Sequence, residues 1–155
     1  MKMLKKCALL LAVMAVAGSC IKEKLEETYN KQEEQIDKYI TSALQNNENY
    51  SVAYNGGASR LTTVAGDGPE LTSSGSVSFY YAGYTFSGSL NSSAMFGTNH
   101  KETADDAGWN LTDPDYELLE VNMKDKELLN GVWNGLLGVK AGEECEILFS
   151  GKYGF

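Results

Sequence analysis

Proline and histidine are almost missing from this chain, with two prolines and one histidine among 155 residues. A lone histidine removes the sites in which two imidazoles hold zinc. With no Gly-x-Ser-x-Gly or cysteine–histidine signature, hydrolytic chemistry also lacks its nucleophile and base. Basic residues are short too, 13 against 21 acidic, for a formal charge of −8. This balance argues against nucleic acid, whose phosphates reward Lys and Arg. No apolar run reaches the roughly 20 residues that a spanning helix needs. The three cysteines, Cys7, Cys20 and Cys145, matter more for their positions than for their number.

Lys2, Lys5 and Lys6 precede an apolar run from Cys7 to Ala17, which closes in Ala17-Gly18-Ser19-Cys20. A charged start, a short apolar core and small residues before a cut describe a signal peptide over residues 1–19. Cysteine directly after small residues resembles the bacterial lipobox, so Cys20 is expected to become an acylated first residue and the chain's membrane anchor. Removing 19 residues and three lysines leaves 136 residues with 10 basic and 21 acidic side chains, a charge of −11. Ile21-Lys22-Glu23-Lys24-Leu25-Glu26-Glu27 is acid-rich and resembles the export tags of surface lipoproteins in Bacteroidetes. The expected location is the bacterial cell envelope, lipid-anchored at the outer membrane on its periplasmic or its surface side. Cys145 is then without a disulfide partner in the mature chain. It alternates with Ile147 and Phe149 against Glu144 and Glu146, which predicts a small inward-facing strand residue.

Residues 20–48 read as an acidic tether and helical spacer. Leu25, Tyr29, Ile36, Tyr39, Ile40, Ala43 and Leu44 recur at three- and four-residue steps, a helical period with one apolar stripe. The stripe thins at Gln32-Glu33, which favours a solvated spacer packing weakly on its own domain; a dimerisation helix over residues 24–46 is the other reading. Asn46-Asn47-Glu48-Asn49 ends the helix, and strands are predicted at 50–54, 59–64 and 75–86. Asn55-Gly56-Gly57 and Gly66-Asp67-Gly68-Pro69 mark the turns between them. Further strands are predicted at 118–123 and 143–150, with a short helix at 124–137 between them. Within residues 94–116, Asn99 and Glu102 suggest a capped short helix ending near Gly108. His100 has no second metal ligand at a plausible spacing. Asp105, Asp106, Asp113, Asp115 and Glu117 lack the spacing and central glycine of a calcium loop.

Leu128 to Phe155 reads LLNGVWNGLLGVKAGEECEILFSGKYGF. With Tyr80-Tyr81-Ala82-Gly83 upstream, it resembles the FK506-binding-protein (FKBP) type of peptidyl-prolyl cis-trans isomerase. The usual pattern there is a hydrophobic pair, Gly-Trp-x-x-Gly-Leu, a Met- or Val-x-x-Gly turn, a strand and a Tyr-Gly. Here Leu128-Leu129, Gly131-Val132-Trp133-Asn134-Gly135-Leu136 and Val139-Lys140-Ala141-Gly142 stand in the first three places. Gly66-Asp67-Gly68 resembles the Gly-Asp-Gly that follows the family's first strand. The resemblance covers residues 61–155 except an insertion at 94–116. It implies an α+β domain over residues 49–155, a twisted antiparallel sheet packed on a short helix. The family's last loop and strand are not matched, so a fragment of a longer product, or a domain completed by a partner's strand, is expected.

The resemblance further implies an apolar cup for a proline ring, with Tyr81 as a wall and Leu90 and Asn91 where the family has Phe and Asp. Leu128 and Leu129 would present backbone groups to the ligand. Val132 falls at the floor, where the family has Trp, and Phe155 where a Tyr supplies a hydroxyl. Trp133 is one residue late, about 100° of rotation on a helix. No cofactor or metal is implied. The expected partners are proline-containing polypeptides or envelope proteins. Two functions are then open, an envelope isomerase or folding helper, and a non-catalytic FKBP-like binding module whose pocket has drifted at Asn91, Val132 and Phe155.

Overall fold

The computed structural model describes residues 2–154. Two glycines set its first turn. Gly56 at φ 53° and Gly57 at φ 84° supply the consecutive left-handed residues of a type I′ hairpin. Strands β1 (Ser51–Asn55) and β2 (Ala58–Val64) then pair antiparallel from Asn55↔Ala58 to Ser51↔Thr62. The far side of β2 pairs antiparallel with β7 (Glu144–Phe149), Ala58 opposite Phe149 and Thr62 opposite Cys145, giving a three-stranded sheet in the order β1-β2-β7.

Each face of this sheet carries a helix. The first, α1 (Lys2–Asn46), is continuous through residues 19 and 20, with no break at the expected cleavage point. Among the described residues no helix is long and apolar enough to cross a membrane. Its second half buries Ile36 and Ile40 against Leu61 of β2 and Leu148 of β7, with Tyr39, Ala43, Leu44, Tyr50, Val52 and Phe86 packed around them. Residues 36–44 therefore belong to the core and pack more firmly than the weak contact expected of the spacer. Gln32 and Glu33, which thin the stripe, accept hydrogen bonds from Gly151 N at 2.9 Å and Ser150 Oγ at 3.1 Å. The polar gap is a docking point for the end of β7. The stripe that a dimer over 24–46 would use is covered by the chain's own sheet at Ile36 and Ile40, whereas Ile21 and Leu25 stay exposed.

On the opposite face lies α3 (Asn130–Leu136). It is shorter than the predicted 124–137 because Lys126 takes a positive φ of 51° and Leu129 is extended. Gly131 and Gly135, one turn apart, face β7. A Cβ on Gly131 would lie 2.2 Å from the Phe149 ring, and one on Gly135 2.2 Å from Ile147 Cγ2. Their bare backbone sets the helix-to-sheet distance. Asn134 Nδ2 donates to Gly56 O and Asn55 Nδ2 to Asn134 O, both at 3.1 Å, which fastens the hairpin turn to the helix.

Arg60 fastens the other end. Its Nη1 donates to the carbonyls of Gly135 at 3.0 Å and Leu137 at 2.6 Å, a cation at the negative end of α3. Its Nε stands 3.1 Å from Glu143 Oε1 in a pair of side chains that are 11% and 5% exposed. That N–H is not aimed along a hydrogen bond, so the contact is ionic. Thr62 Oγ1 and Lys140 N donate to the same carboxylate.

The remaining strands form two antiparallel ladders, β3 (Ser76–Phe79) with β6 (Leu119–Asn122), and β4 (Ala82–Tyr84) with β5 (Met95–Thr98). The chain is thus α+β with antiparallel pairing throughout. The strand predicted over 75–86 is split at Tyr80-Tyr81. The expected insertion is partly built into the fold, since it supplies β5 and α2 (Lys101–Asp106). α2 is not capped by Asn99: its N-cap is His100, which makes no side-chain capping bond.

Candidate functional site

Asn99, 6% exposed, holds the kink that presents Tyr81. Its Oδ1 accepts from Tyr81 N at 2.6 Å, while Nδ2 donates to Phe79 O at 3.2 Å and Glu117 O at 2.9 Å. Tyr81 O in turn accepts from Thr98 Oγ1 at 2.7 Å and Asn99 N at 3.2 Å. Every backbone polar group of Tyr81 is therefore engaged, and its ring, 41% exposed, is left for the surface. A short-range reading made Asn99 a helix cap. Its buried amide instead ties β3, β5 and the segment before β6 together.

Beside Tyr81 lies a strip that the sequence reading missed. Gly83 and Gly97 face each other across β4 and β5. A Cβ built on Gly97 would stand 3.8 Å from the Tyr81 ring, and one built on Gly83 2.8 Å from the Phe96 ring. Paired glycines let two aromatic rings lie over bare backbone, and Phe96 remains 69% exposed. The signal was present in the sequence as aromatic and glycine neighbours in two strands, Tyr81-Ala82-Gly83 and Phe96-Gly97. Only the register joins them. On the other side of the kink, Tyr80 packs edge-on against His100 at 5.6 Å, and His100 Nδ1 pairs with Thr103 Oγ1 at 2.9 Å.

The other predicted residues occupy two further places. Leu90 is 44% exposed, and Asn91 beside it caps a single 3₁₀ turn at Ser92–Ala94, its Oδ1 accepting from Ser93 N at 3.0 Å and Ser93 Oγ at 2.9 Å. Leu128 is half-buried, Leu129 is 48% exposed at the start of α3, and Val132 is half-buried within it. Trp133 is pinned sideways, its indole N–H donating to Met123 O at 2.9 Å with Lys126 Nζ 5.8 Å from its ring. Among the described residues no hydrogen bond joins the Tyr81, Asn91 and Leu128-Leu129 groups. Phe155 and the side chain of Cys20 lie outside the described residues.

Two groups titrate far from their ordinary values. Burial, and then the Glu146 carboxylate beside it, push the Tyr39 hydroxyl up to about 12. Burial, then Glu143, push the Cys145 thiol up to about 11 against the opposing charge of Arg60. Both lie in the packed layers, so neither marks a nucleophile. Among the described residues no group of His, Cys, Asp and Glu is placed to hold a metal. Compared with protein-family models, curated proteins and solved structures, the chain matches none.

Proposed function

We propose that the chain is an FKBP-type peptidyl-prolyl isomerase or folding helper held at the bacterial cell envelope through lipid on Cys20. The observation that carries this reading is that Tyr81, Leu90 and Leu129 are each between 41% and 48% exposed. All three side chains reach the surface, where a proline-containing segment has access to them. An α+β frame with α3 against the sheet, and Leu128-Leu129 directly before that helix, is consistent with the resemblance. Proline isomerisation crosses a barrier of roughly 18–20 kcal/mol set by amide resonance. It needs no nucleophile and no proton transfer. Apolar walls that strip water from the amide and bind its twisted form better than either planar form are sufficient. The chemistry therefore calls for no acid–base constellation.

The test is a proline-limited refolding assay with the full chain. Catalysis that falls at least tenfold in Tyr81→Ala and Leu129→Ala supports the isomerase. No acceleration by the wild-type chain sinks it. For the anchor, incorporation of labelled palmitate that disappears in Cys20→Ala is the expected result.

A second reading, a non-catalytic FKBP-like module that binds envelope proteins, is favoured by Asn91 and Trp133. The Oδ1 of Asn91 is taken by Ser93 and the indole N–H of Trp133 by Met123 O, so neither of these atoms is free to orient a ligand. Tight binding of an FK506-type macrolide would count against that reading, because the ligand needs much the same cup.

A further inference from the structure

We infer that residues 21–28 of α1 form a hinge-free arm that holds the domain end-on, about 12 Å from a lipid surface, with the β1–β2 turn and the 3₁₀ turn at Gly151–Tyr153 toward the membrane. This geometry rests on the anchor proposed at Cys20. It adds a fixed distance and a fixed direction, where a flexible tether would give neither.

Burial along α1 changes at one residue. Residues 21–28 are all exposed, Tyr29 is half-buried, and from there the helix is docked. The Tyr29 ring lies over Gly151, where an added Cβ would come 3.0 Å from Tyr29 Cε1. One turn on, Gln32 Oε1 accepts from Gly151 N at 2.9 Å and Glu33 Oε1 from Ser150 Oγ at 3.1 Å. Beyond them Ile36 and Ile40 are buried against Leu61 and Leu148. Contacts at 29, 32, 33, 36 and 40 run along about three turns, so the helix axis cannot swing relative to the sheet. The docking has a polarity as well, because Tyr29 and Gln32 meet the chain just past β7, whose last residue Phe149 lies opposite Ala58 at the hairpin turn. The Tyr153 ring fills the place of a Cβ on Gly57, so the 3₁₀ turn and the β1–β2 turn share one end of the domain. That end points back along α1 toward residue 20.

Between the docked stretch and residue 20 nothing loosens the helix. No Gly or Pro occurs from residue 20 to residue 46. The docked residues supply the nucleus, so each residue added toward 21 needs only propagation. Lys31 Nζ meets Glu27 Oε1 at 2.8 Å across the junction, with the Glu on the favoured N-terminal side, and Thr28 Oγ1 donates to Lys24 O at 2.8 Å. The acidic segment also gains a physical role. The uncut helix has no acid in its first turn. Cutting before Cys20 brings Glu23 into the first turn, with Glu26 and Glu27 just beyond, near the positive end of the helix dipole. Eight helical residues span about 12 Å. As an open chain the same eight could stretch to about 27 Å and turn freely.

The experiment uses the mature chain with palmitate on Cys20, in vesicles of phosphatidylethanolamine and phosphatidylglycerol that carry a nickel-chelating lipid. A nitroxide is attached at the near end through Lys152→Cys or at the far end through Ala141→Cys, exposed positions separated by the length of β7, about 20 Å. The expected result is nickel-induced relaxation roughly threefold or more faster at 152 than at 141. The ratio should fall toward one when Leu25→Gly, Glu26→Gly and Glu27→Gly together break the arm. In the same vesicles the wild-type amides of Glu26, Glu27 and Thr28 should exchange about tenfold more slowly than in an open chain. Equal relaxation at the two ends overturns the proposal, and so do open-chain exchange of those amides and a ratio untouched by the three glycines. Absence of palmitate from Cys20 overturns the anchor and this geometry together. Palmitate present with equal relaxation removes the arm and leaves the anchor standing.

Discussion

Replacing Gly135 by alanine should destabilise the protein, although the same change inside a free helix stabilises by roughly 1 kcal/mol. The Cβ would arrive 2.2 Å from Ile147 Cγ2, 3.0 Å from Cγ1 and 3.1 Å from Cβ. The crowding reaches the base of a β-branched side chain that cannot swing aside, so either α3 lifts or β7 bends. Overpacking of this kind costs about 1–3 kcal/mol. After the propensity gain is subtracted, the expected net loss is about 0–2 kcal/mol, a fall of up to roughly 1 M in the urea midpoint at an m-value near 2 kcal/mol/M. Gly131→Ala should lose more, because three atoms of the Phe149 ring lie within 2.5 Å of its Cβ position. Ile147→Ala in the Gly135→Ala background should recover part of the loss, giving a coupling energy that the single variants cannot supply. A midpoint that rises in Gly135→Ala would refute the close approach of α3 to β7.

Arg60→Met should cost about 3–5 kcal/mol, because it strands the buried Glu143 carboxylate and uncaps the Gly135 and Leu137 carbonyls; adding Glu143→Gln should cost less than the two single losses together in urea titrations. Asn99→Ala leaves Tyr81 N, Phe79 O and Glu117 O unpaired, so a loss of about 2–4 kcal/mol is expected, with faster amide exchange at Tyr81. With its pKa raised from 9.0 to about 11, Cys145 should carry about a hundredfold less thiolate than a free thiol at pH 8 and react with maleimide only as the protein unfolds. The Tyr39 hydroxyl is raised from 10.0 to about 12, so its stabilisation is intact below pH 10 and is lost as pH climbs from 10 to 12. About 1–2 kcal/mol should vanish in that window, allowing for partial exposure, and Tyr39→Phe should flatten the change seen in base titrations.

Local signals were legible in the sequence and distant partners were not. Asn55-Gly56-Gly57 announced its hairpin because a type I′ turn is a property of two adjacent residues. The periodicity ending at Asn46 likewise placed the end of α1. Gln32 and Glu33 read as a gap in an apolar stripe, since the groups they bind, Gly151 N and Ser150 Oγ, lie 119 and 117 residues away. Asn99 read as a cap for the same reason: its partners lie in β3, in the kink after it and in the segment before β6. Cys145, Ile147 and Phe149 were read as the inward face of their strand, yet Leu148 on the opposite face is the more deeply buried residue, because a helix covers each side. Among the candidate site residues, Tyr81, Leu90 and Leu129 are exposed. Asn91 bonds Ser93 two residues on, a local turn signal in Asn91-Ser92-Ser93 that the reading of Asn91 as a pocket residue passed over.

The contact between the second half of α1 and the end of β7 also constrains the order in which this protein assembles. Ile36 and Ile40 leave the ribosome more than a hundred residues before Leu148, the strand residue they pack against. Only the β1–β2 hairpin offers Leu61 as an early partner. Until β7 is made, α1 has half of its apolar seat and α3 has no floor. Loop closure over that separation adds little to the entropy, which grows only as the logarithm of length. It does delay the rate-determining contacts, so folding should be late, cooperative and slow for the chain's size. A chain in that interval exposes Ile36, Ile40 and Leu61 together, and its period of greatest exposure to aggregation ends when β7 joins β2.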